Sequence, residues 1–212
     1  MRDRILDAAE RLLARLGYQK TTMDDLAREA GIGKRTIYVH FPSKEEVALS
    51  TIDRIVERLK ARLRSIAVSS DPPAERLRRM LLTRVLFRFD SVRDYYESID
   101  DLFRAIRPAY MARRARYFAE EASIFAEVLT EGRGAGAFAF EDPLSTAQTL
   151  LLATNSLLPS GLSTRELGQR RDLEAKASRI AQLLLGGLLE RGAAGSTRRH
   201  SPAPRKSVVS RS

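Results

Sequence analysis

Apolar residues recur along this chain with a helical period almost from end to end. Ile5, Leu6, Ala9, Leu12, Leu13 and Leu16 share one face of a 3.6-residue helix, and Gly17 is placed to stop it. Thr22 reads as the N-cap of a second helix, with Asp25 as a capping-box partner and Asp24 and Asp25 at the positive end of the helix dipole. Leu26, Ala27 and Ala30 form its short apolar face, and Gly31 ends it. A third, short helix is predicted from about Lys34 to Phe41. Pro42 then breaks the chain, and Ser43-Lys44-Glu45-Glu46 opens a long fourth helix. Val47, Ile52, Ile55, Val56, Leu59, Leu63 and Ile66 carry its stripe to about Ala67.

The helical period continues beyond Asp71-Pro72-Pro73, where Pro73 suits a helix start. Leu77, Met80, Leu81, Val85 and Phe89 form the next face. Ser91 is expected to cap a segment running towards Ile106, and Pro108 to mark a kink or a new start. A long helix is expected from Ala109 to about Thr130, ended by Gly132, Gly134 and Gly136. Asp142 and Pro143 open another, with Leu144, Ala147, Leu150, Leu151, Leu157 and Leu158 as its apolar residues and Pro159 as its end. After a loop, the last helix should span about Arg171 to Glu190. Phe138-Ala139-Phe140 alternates but is too short to found a sheet. The fold class is therefore all-α.

Composition narrows the function classes. The 212 residues contain no Cys and only two His, His40 and His200, which lie far apart. That excludes disulfides, thiol nucleophiles, thiolate metal sites and a multi-histidine metal centre, so no cofactor, metal or catalytic residue is assigned. No apolar run reaches the roughly 20 residues of a membrane span, and the N-terminus lacks a signal-peptide layout, so a cytoplasmic protein is expected. The formal net charge is +10, yet residues 1–50 hold nine Lys/Arg against eight Asp/Glu, while residues 192–212 hold five Lys/Arg and no acid. Half the excess thus sits in a terminal stretch without helical period, expected to be a disordered basic tail. The pairs Asp24-Asp25, Glu45-Glu46, Asp100-Asp101 and Glu120-Glu121 read as helix capping and solvated faces. Gly132-Arg133-Gly134-Ala135-Gly136 has neither the preceding strand nor the following Lys-Ser/Thr of a phosphate loop.

The stretch with chemical meaning is residues 21–46. It is helix, tight turn, helix: Gly31-Ile32-Gly33 makes the turn, with Ile32, Leu26, Ile37 and Phe41 expected in the core. The second of these helices opens with Lys34, Arg35 and Thr36. A helix that enters the DNA major groove presents base-reading and phosphate-binding groups near its N-terminus, and long cations and a hydroxyl suit both tasks. Val39, on the exposed side, is a candidate for contact with a thymine methyl.

Gly31-Ile32-Gly33, Thr36-Ile37-Tyr38 and His40-Phe41-Pro42-Ser43-Lys44-Glu45 together resemble the DNA-binding domain of TetR-family (tetracycline-repressor-type) transcriptional regulators. Ile5-Leu6-Asp7-Ala8-Ala9, Gly17-Tyr18 and Thr21-Thr22 match that domain too, so the resemblance covers about residues 3–50 in order and without gaps. It implies a helix-turn-helix DNA-binding domain at 1–48 and a helical effector-binding and dimerisation domain at 49–191, with the basic tail at 192–212 an addition to the family plan. It also implies a homodimer that reads a near-palindromic double-stranded operator, with half-sites about 34–36 Å apart or somewhat more. A small-molecule effector would release the DNA, so a repressor is expected. By position in the motif, Tyr38, His40 and Lys44 become phosphate-contacting candidates beside Thr22, Lys34, Arg35, Thr36 and Val39.

The later helices hold most of the aromatic residues. Phe87, Tyr96, Phe103, Tyr110 and Tyr117, with the polar Asn155, are the candidates for lining an effector pocket. Leucines exceed what one buried stripe needs in the last two helices, so Leu150, Leu151, Leu157, Leu158, Leu184 and Leu188 are the candidates for a four-helix dimer interface. Two other classes compete. A non-specific nucleic-acid binder would depend on the basic tail. An all-helical enzyme would need an acid/base constellation that the sequence does not display.

Overall fold

In a computed structural model of the protein, which describes residues 1–93, 99–159, 166 and 168–189, α1 spans Arg2–Lys20. Gly17 sits within it at φ 74° and ψ 170°, so the regular helix stops there and a last turn carries Tyr18 back into the core. Helix α2 (Met23–Ala30) begins on a complete capping box. The Thr22 hydroxyl accepts from the Asp25 amide, and the Asp25 carboxylate accepts from the Thr22 amide. Helix α3 (Lys34–His40) follows after three residues. Helix α4 (Lys44–Ala67) starts where the Ser43 hydroxyl accepts from the Glu46 amide at 3.1 Å, and it ends at the expected residue. Next come α5 (Pro73–Val92), α6 (Ile99–Gly134), α7 (Pro143–Asn155) and α8 (Arg170–Leu188). Among the described residues there is no strand, only an isolated antiparallel bridge between Phe138 and Leu189.

Four boundaries differ from the sequence reading. Ser91 does not cap a new helix: it lies inside α5, where its hydroxyl donates to the Phe87 carbonyl at 2.7 Å. Pro108 neither ends nor restarts a helix. Helix α6 runs on through it, held on one flank by the buried Leu102 and Ile106 and on the other by Tyr117, Ala122 and Phe125. Tertiary packing on both sides outweighs the missing N–H. The same helix passes Thr130 and reaches Gly134. Gly132 is tolerated there because the Phe138 ring packs onto it; a Cβ would lie 2.3 Å from that ring. Helix α7 ends at Asn155, so Leu157 and Leu158 belong to the following turn.

Burial divides into four apolar clusters. Ile5, Leu12, Leu26, Ile37, Phe41 and Val47 anchor the first, which binds α1, α2 and α3 to the start of α4. The largest joins α4, α5, α6, α7 and α8 around Leu59, Leu63, Leu77, Met80, Phe125 and Leu151. A third packs Val85 and Phe89 on Leu157, Leu158, Leu173 and Ala177. The fourth is a junction: Leu13 and Tyr18 of α1, Ala48 and Leu49 of α4, and Leu102 and Ile106 of α6 pack together. Burial of this size stabilises by about 25 cal/mol per Å² of apolar surface removed from water. The three N-terminal helices therefore rest on α4 and α6. Among the described residues, no helix is long and apolar enough to cross a membrane.

Candidate nucleic-acid interface and effector chamber

The turn before α3 depends on one backbone conformation. Gly31 adopts φ 61° and ψ 41°; its N–H reaches the Ala27 and Arg28 carbonyls, and the Ile32 amide donates to Ala27 at 3.0 Å. This is a Schellman closure, and only glycine takes that left-handed conformation without strain. It turns α3 so that Ile37 points fully into the core while the rest of the helix faces out. Ile32 is half-buried against the first cluster, not enclosed as expected, because the turn leaves one side open.

The outward surface of α3 carries the expected groups. Arg35 is exposed and makes no hydrogen bond or ion pair with a described residue. Tyr38 is 46% and Val39 75% exposed, unusual values for an aromatic and an aliphatic side chain on a packed helix. Lys34 is exposed and its ammonium lies 2.8 Å from Asp24, a hydrogen bond that raises its pKa. Thr36 and His40 are half-buried. Thr22 is exposed, and its hydroxyl also donates to Asp25 at 2.6 Å, so it serves the cap. Lys44 is drawn inward. Its ammonium donates to the carbonyls of Tyr18 (3.0 Å) and Gln19 (3.4 Å) and lies 4.3 Å from the centre of the Tyr18 ring, and burial lowers its pKa. It neutralises the negative end of α1 and keeps one N–H of three uncommitted.

Arginines outside the motif hold this helix-turn-helix in place. Arg2 donates to the His40 carbonyl (3.4 Å) and the Ser50 hydroxyl (2.8 Å), with its guanidinium 4.3 Å from the centre of the Phe41 ring. It thereby ties the end of α3 to α4. Arg54 of α4 reaches Asp7 at 2.7 Å and Glu10 at 2.8 Å on α1. Arg113 of α6 grips Glu46 (2.7 Å) and Asp53 (2.5 Å) of α4, and the Tyr117 hydroxyl donates to Asp53. Burial, then the Asp53 hydrogen bond, pushes the Tyr117 phenol well above its ordinary range.

That tyrosine also faces a chamber with about 540 Å³ of free space, counting its open mouth. Phe103, Tyr110 and Tyr117 line it together with Ile52, Ile55 and Val56 of α4 and Arg88 of α5. Phe87 does not: it lies on another side of α5, packed on the largest cluster under the Arg62 guanidinium, 4.7 Å from its ring centre. Asn155 lines an adjoining recess together with Arg84, Arg88, Arg114 and Glu121. Tyr96 lies outside the described residues.

The recess exposes a second correction. Glu121 is not on a solvated face: it is 1% exposed, and Arg84 is 2% exposed beside it. Arg84 donates to Glu121 at 2.7 Å, to Thr154 at 2.8 Å, to the Leu151 carbonyl at 3.2 Å and to Asn155 at 2.7 Å. Arg88 holds the other side of the same carboxylate. Burial, with the neighbouring Arg88, brings the Arg84 pKa down to about 10. Burial raises that of Glu121, but Arg88 and Arg84 outweigh it and hold the carboxyl below its usual value. The signal was present in the spacing: Arg84 follows Leu77, Met80 and Leu81 on the apolar face of α5, and Glu121 falls midway between Tyr117 and Phe125.

The leucine candidates divide. Leu150, Leu151, Leu157 and Leu158 are buried within the chain's own clusters, so they are not available to a partner. Leu184 and Leu188 are half-buried. The exposed apolar side chains of α7 and α8 are Leu144, Leu152 (60%) and Leu183 (72%), and Gly186 and Gly187 have open space where a Cβ would stand.

Comparison with known proteins fits this geometry. The family profile described as bacterial regulatory proteins, tetR family, matches residues 5–51. The chain is 48% identical over 54 residues to the HTH-type transcriptional regulator EthR of Mycolicibacterium smegmatis, a match covering 26% of this chain and 25% of that protein. The matched stretch thus spans about a quarter of the length of that relative. Similarity of fold extends further. A transcriptional regulator from Cytophaga hutchinsonii superposes with a TM-score of 0.71 at 20% identity, over 87% of this chain and 96% of that one. The TetR-family transcriptional regulator PfmR from Thermus thermophilus does so with a TM-score of 0.56 at 28% identity, over 91% and 98%. The helices α1 to α3 thus form the helix-turn-helix that the tetR-family profile matches at residues 5–51, and the all-helical body behind them shares the fold of these transcriptional regulators.

Proposed function

We propose that the protein is a sequence-specific DNA-binding transcriptional regulator, a homodimeric repressor that a small-molecule effector releases from a near-palindromic operator. The observation that carries this is α3 itself. Only Ile37 of its seven residues is buried, while Arg35, Tyr38 and Val39 stand outward without partners among the described residues. A short helix that holds a cation, a phenol and a methyl pair exposed on a rigid support suits the major groove. Arg35 reads a base edge, with guanine the best match for its fork, and Val39 touches a thymine methyl. Lys34, Thr36, Tyr38 and His40 contact backbone phosphate. Thr22 brings the start of α2 to phosphate, and Lys44 supports it from the end of α1.

In this reading residues 1–48 are the DNA-binding domain, 49–191 bind effector and partner subunit, and 192–212 add non-specific attraction to DNA. Leu152 and Leu183, flanked by Leu184 and Leu188, form the interface between subunits, with Gly186 and Gly187 permitting close approach of helices. Such a regulator works beside the chromosome in the cytoplasm. The effector chamber is the space between α4 and α6, because filling it bears on Asp53 and so on the Arg113 and Tyr117 contacts that fix α4. Binding-site selection from a random duplex library at about 150 mM salt, where bare phosphate attraction is weak, tests the proposal. A near-palindromic motif is expected; recovery of no motif would overturn it in favour of non-specific binding through the tail.

A further inference from the structure

We propose that the chamber between α4 and α6, with the recess that adjoins it, selects an amphipathic anion, its oxyanion head in the recess on Arg88 and Arg114 and its apolar body in the chamber among Ile52, Val56, Leu102 and Phe103. The inference rests on the effector reading and names the chemical class of that effector.

The argument is one of charge and wall character. Among the described residues, the chamber walls are apolar apart from the phenols and Arg88. Arg88, Tyr110 and Tyr117 also line the adjoining recess, so the two spaces meet at these three side chains. Among the described residues lining that recess are three guanidiniums, Arg84, Arg88 and Arg114, and a single carboxylate, Glu121. Glu121 serves Arg84 and Arg88 together. Four of the five Arg84 N–H groups are taken by Glu121, Thr154, Asn155 and the Leu151 carbonyl, and the side chain is buried, so it contributes field rather than contact. Arg88 retains N–H groups beyond the two directed at Glu121 and is partly exposed, at 16% for its side chain. Arg114 is half-buried and forms no hydrogen bond or ion pair with a described residue.

An excess of positive charge in a partly desolvated recess is costly until an anion enters, and low local dielectric strengthens the attraction. A neutral apolar ligand filling the chamber would cover Arg88 without replacing the water hydrogen bonds of that guanidinium, and would leave Arg114 in the recess unused. A small hydrophilic anion would leave the apolar walls wet. The combination favours a molecule with both parts, and the guanidinium fork matches carboxylate and phosphate alike.

Calorimetric titration of the full chain with decanoate, decyl phosphate and neutral decan-1-ol tests this, alongside Arg114→Gln. At least one anion is expected to bind roughly ten- to hundredfold more tightly than the alcohol, the range of a charge-assisted contact. Arg114→Gln should remove most of that preference and leave decan-1-ol affinity unchanged, which also reports an intact chamber. If the alcohol binds as tightly as either anion, or Arg114→Gln lowers all three alike or none, the anion assignment is overturned while the effector chamber stands. If none of the three binds, both fall.

Discussion

Replacing Glu121 by Gln keeps the shape of the side chain and removes the one carboxylate between Arg84 and Arg88. Glu121 is 1% exposed and Arg84 2%. Two guanidiniums would then face each other across an amide whose NH2 group also repels them. Breaking a buried charged set by removing one partner costs about 3–5 kcal/mol, because the remaining charge stays desolvated. Against a total stability of about 5–15 kcal/mol this is a large share. For a chain of this size it lowers the melting temperature by roughly 6–20 °C, at about 2–4 °C per kcal/mol. Circular dichroism melts and urea titrations at fixed protein concentration measure it. Adding Arg84→Met to Glu121→Gln should recover at least about 1 kcal/mol, since one unpaired cation disappears.

The pH dependence has a definite sign. Arg88 and Arg84 hold the Glu121 carboxyl below its ordinary value. Its contribution is therefore complete above the unfolded value of about 4.3 and is lost as pH falls through the lower folded value. The gap between wild type and Glu121→Gln should be full at pH 7 and narrow below about pH 4. A loss under about 1 kcal/mol at pH 7, or a gap independent of pH, would refute the claim that this triad is a charged structural unit.

Three other outcomes follow from the same geometry. Thr22→Ala removes one side of the α2 capping box and should cost about 1 kcal/mol in urea unfolding, with a further loss on DNA if α2 meets phosphate. Leu183→Glu, at a position 72% exposed in the single chain, should leave the fold intact and dissociate the dimer in sedimentation velocity. Removing residues 192–212 takes away five cations. It should reduce the salt slope of DNA binding by at most about four to five units and leave the sequence preference in place.

Local chemistry was the legible part of this fold. Thr22 with Asp25, Ser43 with Glu46, Gly31 and Asp142 each act within a few residues, and each cap or stop is found where the pattern predicts it. Tertiary contacts were not legible in the same way. Pro108 reads as a kink or a new start; no new helix starts there, because packing on both flanks carries α6 through it. Leu150, Leu151, Leu157 and Leu158 read as surplus apolar surface, but α4, α5 and α8 use that surface within the chain. In the chamber, the aromatics of α6 were found by type, while Ile52, Ile55 and Val56 were indistinguishable from other core positions of α4. Glu121 was missed because an acidic pair suggests solvent, although its place on the apolar stripe of α6 was a readable sign. The outward groups of α3 come through because a helix this short has only one face to bury.

Base reading by α3 is decided at Arg35. Affinities of wild type and Arg35→Ala should be measured at about 150 mM salt on the selected operator and on a scrambled duplex of equal length. A loss of about 1–3 kcal/mol on the operator is expected, with relaxed preference at one base pair in each half-site and little change on the scrambled duplex. An equal loss on both would contradict base reading and reduce Arg35 to a phosphate contact.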